Sequence, residues 1–129
     1  MKLMAIDYGE KRVGVASTDE SGVFALPRAV WANDENLLDK VVKFKREESI
    51  EKIIMGESKN FEGTHNPIQE KIEKFKSELE ARGVTVLFHP EILTTLEARQ
   101  LQGQTQMTDA SAAALILKSY IDTVYNKDA

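Results

Sequence analysis

The chain, 129 residues long, contains no cysteine. That excludes disulfides, thiolate zinc sites and cysteine nucleophiles together, and it fits a reducing cytosol, so a cytoplasmic location is expected. Long apolar runs are missing as well, so no segment is expected to span a membrane. Nor is a signal peptide expected, because Lys2 is followed by only four apolar residues before Asp7. Basic residues are in deficit: 17 Lys+Arg stand against 21 Asp+Glu, a net charge of −4. A protein that neutralises phosphates by bulk charge should be basic. Any nucleic-acid role must therefore rest on local groups. There is no Walker loop, since Gly56–Gly63 (GESKNFEG) lacks the GK[ST] ending, and no nucleotide cofactor is expected.

What is present is an ordinary globular balance, 42% hydrophobic and 29% charged, which excludes disorder and fibrous repeats. The length suits one domain over residues 1–129, with no linker or repeat to divide it. Lys2–Asp7 is apolar from Leu3 to Ile6, the pattern of a strand covered on both faces. Gly9 breaks it, and Arg12–Ser17 resumes a strand after a hairpin at Tyr8–Lys11. Asp19–Gly22 makes a second turn, and Val23–Trp31 a third strand that Pro27 marks as an edge. An antiparallel meander results.

The rhythm then changes. Asn33 and Asp34 can cap a helix through about Glu48, with Leu37, Leu38, Val41 and Phe44 inside. Ile50–Gly56 reads as a strand. Asn66-Pro67 with Gln69 opens a second helix, whose Ile68, Ile72, Phe75 and Leu79 form one face and which Gly83 closes. Val84–Phe88 is a fifth strand. Thr94 and Glu97 make a capping box for a short helix ending near Gly103. A last helix from about Thr108 to Tyr125 carries Ala113, Ile116, Leu117, Tyr120, Ile121 and Val124 as its stripe. Strand–helix–strand alternation forces right-handed parallel crossovers, so strands one, four and five should be parallel in an α/β fold.

In such a sheet, ligands bind beyond the carboxyl ends of the parallel strands. Three acids fall there. Asp7 ends the first strand, Glu91 lies three residues past the fifth, and Asp109 opens the last helix one turn before Ala113. Each has a plainer role: a turn former, a loop carboxylate, a charge at a helix N-terminus. Together they make a cluster that would repel itself unless a cation neutralised it. Oxygen ligands without histidine or cysteine favour Mg²⁺ or Mn²⁺, one or two ions. Carboxylate-held ions of this kind suit in-line displacement at a phosphodiester.

MAIDYGEKRVGVASTDESG at 4–22, GESKNFEG at 56–63, PEILTTLEA at 90–98 and DASAAALILKSYID at 109–122 resemble the YqgF/RuvX family. Its members are described as Holliday junction resolvases and as pre-16S rRNA nucleases. The resemblance spans almost the whole chain in the right order. It implies an RNase H-like fold, a five-stranded mixed sheet of order 3-2-1-4-5 with helices on both faces. It also implies that Asp7, Glu91 and Asp109 are the catalytic and metal-holding acids of an endonuclease acting on structured RNA or branched DNA. The chain departs from the family pattern where Pro90 and Ile92 flank Glu91 in place of an acid and an arginine. It departs again where Leu101–Thr108 (LQGQTQMT) lacks the usual basic stretch, and at Ser58, where proline is common. A catalytically impaired member that binds nucleic acid or protein is the alternative reading. An actin- or hexokinase-like nucleotide binder ranks last, because no second lobe fits in this length.

Lys11 and Arg12, beside Asp7 in sequence, could contact a substrate phosphate, or be a solvated turn pair. Lys59 and Asn60 face the ligand rim in the loop after strand four and are better placed. Lys40, Lys43, Lys45 and Arg46, followed by Glu47, Glu48 and Glu51, read as a solvated helix face. Asp19 is a hairpin-turn residue at least as readily as a family acid. His89, two residues before Glu91, is expected to be tolerated at a strand end rather than to shuttle protons. Tyr8 and Trp31 are expected in the core rather than stacked on bases. Monomer and homodimer are both compatible with the sequence.

Overall fold

The computed structural model describes residues 2–57, 67–90 and 107–125. Five strands and three helices follow in the order β1 (Leu3–Tyr8), β2 (Arg12–Thr18), β3 (Ala25–Ala32), α1 (Leu37–Glu47), β4 (Lys52–Glu57), α2 (Pro67–Ala81), β5 (Val86–Pro90) and α3 (Met107–Tyr125). They build one sheet of order β3-β2-β1-β4-β5. β1 pairs antiparallel with β2 and parallel with β4, β2 pairs antiparallel with β3, and β4 pairs parallel with β5. The expected order and strand directions are those observed. The expected short helix over 94–103 lies outside the described residues.

Alternation along the strands sorts side chains into two cores. Met4 and Ile6 of β1, Val13 and Val15 of β2 and Ile53 and Met55 of β4 pack with Leu37 and Val41 of α1 and Ile72, Phe75 and Leu79 of α2. Leu3, Ala5, Ala16 and Ile54 face the other way, onto Ala113, Ile116, Leu117 and Ile121 of α3. Each face of the sheet is covered by helix, which is why β1 and β4 read as continuous apolar runs. Tyr8 and Trp31 pack on the α1/α2 side, against Phe75 at 5.3 Å and Phe44 at 5.8 Å between ring centroids. Val124 is the exception to the stripe: it is exposed at the last turn of α3.

One local expectation, the capping of α1, is corrected by backbone geometry. Asn36, not Asn33 or Asp34, stands at the N-cap of α1, and its side chain makes no capping hydrogen bond. Asp34 instead accepts from the Asn36 amide at 2.9 Å, a turn preceding the helix. Asn33 donates its side-chain amide to the Gly9 carbonyl at 2.7 Å, tying the start of α1 to the β1–β2 turn. β3 is indeed an edge strand, but the register shifts between Val15 and Ala16, which pair with Ala29 and Pro27. Arg28 is thus the extra residue of a β-bulge, which turns its side chain to Ser17, Glu48 and the Phe44 ring. Gly83, at φ 82°, ends α2 in the left-handed conformation, and the Val84 amide bonds back to the Leu79 carbonyl. Among the described residues, no helix is long and apolar enough to cross a membrane.

Candidate active site

β1 delivers its acid to the α3 face. Leu3 and Ala5 lie in the core under α3 and Met4 and Ile6 in the opposite one, so Asp7 continues the α3 series. Its register partner across β2 is Gly14. Directly above Gly14 sits the start of α3. A Cβ on Gly14 would collide with the Asp109 carbonyl and come within 2.9 Å of the Ala110 amide nitrogen. Glycine at this point lets the backbone of α3 rest on the backbone of β2. Asp109, in the first turn of α3, is thereby seated over the strand position that pairs with Asp7.

Arg12 belongs to the same β2 series as Gly14 and Ala16. Its Nε lies 3.2 Å from Asp109 Oδ2. The contact is an ion pair by distance and not a hydrogen bond by angle: among the described residues no hydrogen bond reaches Oδ2, although that atom is buried. The Arg12 side chain is 57% exposed and that of Asp109 22%. Asp109 therefore offers an inward carboxylate oxygen whose charge, among the described residues, is compensated by a solvent-facing guanidinium. Such an oxygen fits a hard divalent cation.

The far end of the face is closed by β5. His89 faces α3, where its Nε2 lies 2.8 Å from Ser119 Oγ and its ring meets Tyr120 edge-on at 6.1 Å. Burial pushes the imidazole pKa below its ordinary 6.5, so the ring is neutral near neutral pH and serves as a packed hydrogen-bonding group. Gly56 of β4 is the register partner of His89.

The structure thus brings Asp7, Arg12 and Asp109 onto one face. Because β5 extends to Pro90, Glu91 follows the strand directly instead of three residues later. Glu91, Lys59 and Asn60 themselves lie outside the described residues, and among the described residues no group of three or more His, Cys, Asp or Glu forms a metal cluster. Arg12 is the first residue of β2 and not part of the turn. Asp19 is a turn residue: its Oδ1 accepts from Ser21 Oγ at 2.6 Å, and that bond lowers its pKa. The sequence reading passed over Gly14 and Ser119. Gly14 had a signal, being a glycine inside a strand pattern, which marks close backbone approach; Ser119 had none.

A family model described as RuvX: Holliday junction resolvase matches residues 1–123. The chain belongs to that family. Relatives of the chain include two named "Putative pre-16S rRNA nuclease". The one from Syntrophus aciditrophicus is 36% identical over 96% of this chain and 90% of its own length. The one from Caldanaerobacter subterraneus subsp. tengcongensis is 33% identical over 98% and 99%. In fold, the chain is similar to T. thermophilus RuvC in complex with a Holliday junction substrate, with TM-score 0.64, 14% identity and coverage of 97% and 96% of the two chains. It is also similar to the Fowlpox virus resolvase in complex with Holliday junction DNA, at TM-score 0.61, 14% identity and coverage of 96% and 99%. The RNase H-like fold implied by the sequence motifs is the fold observed.

Proposed function

We propose that this RuvX-family chain is a divalent-metal-dependent endonuclease that hydrolyses phosphodiester bonds in structured nucleic acid. One observation carries the reading: α3 rests on Gly14, so the backbone of Asp109, whose carboxylate is under-bonded, lies over the register partner of Asp7. Asp7 and Asp109, with Glu91 from the segment that follows β5, would hold Mg²⁺ or Mn²⁺, one or two ions. Such ions, when bound, lower the pKa of water and offset charge on the leaving oxygen. The chain's own groups do the rest. The carboxylates fix the site at the rim of the parallel strands, and Lys11 and Arg12 meet the backbone phosphate from the β1–β2 side. Lys59 and Asn60 would approach from the loop after β4. Recognition through shape and backbone suits such groups better than base readout.

The net charge of −4 is compatible with this arrangement, because three of the acids are assigned to cation binding. The relatives' names favour a ribosomal RNA precursor as substrate, and those of the structural neighbours a four-way junction. Incubation of both substrates with Mg²⁺, wild type beside Asp7→Asn, tests the proposal. Cleavage of either by wild type alone is expected; cleavage unaffected by the substitution removes it. Pro90 and Ile92, which replace the family's acid and arginine around Glu91, motivate a binding-only alternative that the relatives' names do not favour. That reading predicts tight substrate binding with no cleavage by wild type.

A further inference from the structure

We infer that Arg12 is an exchangeable counter-ion: it neutralises Asp109 while the site is empty of metal and gives up that carboxylate when a divalent cation and a substrate phosphate arrive together. The inference rests on the metal-site reading above. Three observations point to it. The Arg12 Nε lies 3.2 Å from Asp109 Oδ2, yet no hydrogen bond among the described residues fixes that oxygen, so charge and not geometry holds the pair. The two partners differ in freedom. Asp109 is held by the backbone seat of α3 on Gly14, whereas most of the Arg12 side chain is in solvent. Finally, Arg12 and Asp7 share one face of neighbouring strands, so a guanidinium that swings off Asp109 remains at the rim where a phosphate would lie. Arginine suits such an exchange, since its planar fork binds carboxylate and phosphate alike.

An arginine that occupies a metal ligand competes with the metal. Removing it should tighten cation binding in the absence of substrate and weaken substrate binding in its presence. The loss of an exposed ion pair corresponds to roughly a two- to fivefold gain in Mn²⁺ affinity. A merely phosphate-contacting arginine would leave Mn²⁺ binding alone. Linkage adds a second signature: a non-cleavable four-way DNA junction should raise Mn²⁺ affinity more in wild type than in the variant, because only wild type has an arginine to transfer.

The experiment is Mn²⁺ titration, followed by electron paramagnetic resonance at low ionic strength, of wild type, Arg12→Gln, Lys11→Gln and Asp109→Asn, each checked for folding by thermal melting. Lys11→Gln removes the same unit charge one residue away and reports the general field of the site. Arg12→Gln binding Mn²⁺ about two- to fivefold more tightly than Lys11→Gln supports the exchange. Equal affinities in those two variants overturn it while leaving the metal site intact. If wild type binds Mn²⁺ no better than Asp109→Asn, the metal-site reading itself fails, and the exchange with it.

Discussion

The seat of α3 on Gly14 makes Gly14→Ala an informative perturbation, because the atoms a new methyl would meet are backbone and cannot rotate away. The added carbon would overlap the Asp109 carbonyl and press on the Ala110 amide, so the first turn of α3 must lift from β2. Overpacking of this kind costs about 1–3 kcal/mol. For a domain of this size each kcal/mol moves Tm by roughly 3–6 °C, so a fall of about 3–18 °C is expected. Lifting the turn also draws Asp109 away from Asp7, and Mn²⁺ affinity should drop with it. Gly83→Ala is the matched control. Its Cβ would meet nothing within 4 Å, but φ 82° is a left-handed conformation that costs an L-residue about 1–2 kcal/mol. Circular dichroism melts and Mn²⁺ titration on both variants separate the effects. Gly83→Ala should lose stability alone; Gly14→Ala should lose stability and metal affinity. A Gly14→Ala protein with wild-type Tm and wild-type Mn²⁺ binding would refute the packing of α3 on β2 described above.

Other consequences follow from the same contacts. Glu48 accepts from Arg28 Nη1 at 3.0 Å and lies 3.7 Å from Lys2, and the Arg28 hydrogen bond above all holds its carboxyl below the ordinary 4.5. A depressed folded pKa means that the unfolded chain takes up the proton first. The stabilisation is therefore present above about pH 4.5 and is lost as pH falls through the folded value; Glu48→Gln should flatten the acid limb of a Tm–pH curve. Ser119→Ala removes the oxygen 2.8 Å from His89 Nε2 and should cost about 0.5–1.5 kcal/mol in a urea titration. Substrate binding should be weak, only shallowly dependent on salt, and lost on chelation of Mg²⁺, as filter binding would show, because so few basic groups serve the rim. Tight binding that ignores Mg²⁺ would mean that the substrate docks elsewhere.

Much of this was legible in the sequence. The apolar runs of β1 and β4, flanked by helices with four- and three-residue spacing, dictate a sheet covered on both faces, and Pro27 marked the edge. The placement of Asp7 and Asp109 at one end of the sheet was legible because strand direction assigns the rim before any contact is known. What was hidden depended on register and on backbone contact. Neither the pairing of Asp7 with Gly14 nor the ion pair from Arg12 to Asp109 has a local spacing, since each joins segments set by the fold as a whole. The N-terminus of α1 misled for a different reason. Asn33 and Asp34 are good capping residues by type, but the fold uses them one turn earlier, to brace Gly9 and to shape the entry to the helix.

Single-turnover cleavage rates of Asp7→Asn, Asp109→Asn and the double variant decide whether Asp7 and Asp109 form one site. Groups that act as a unit lose their joint function when either is removed. If the two form one site, each single variant abolishes Mg²⁺-dependent cleavage and the double variant is no slower than the worse single. Partial losses that multiply in the double variant, or wild-type cleavage by either single variant, would contradict it.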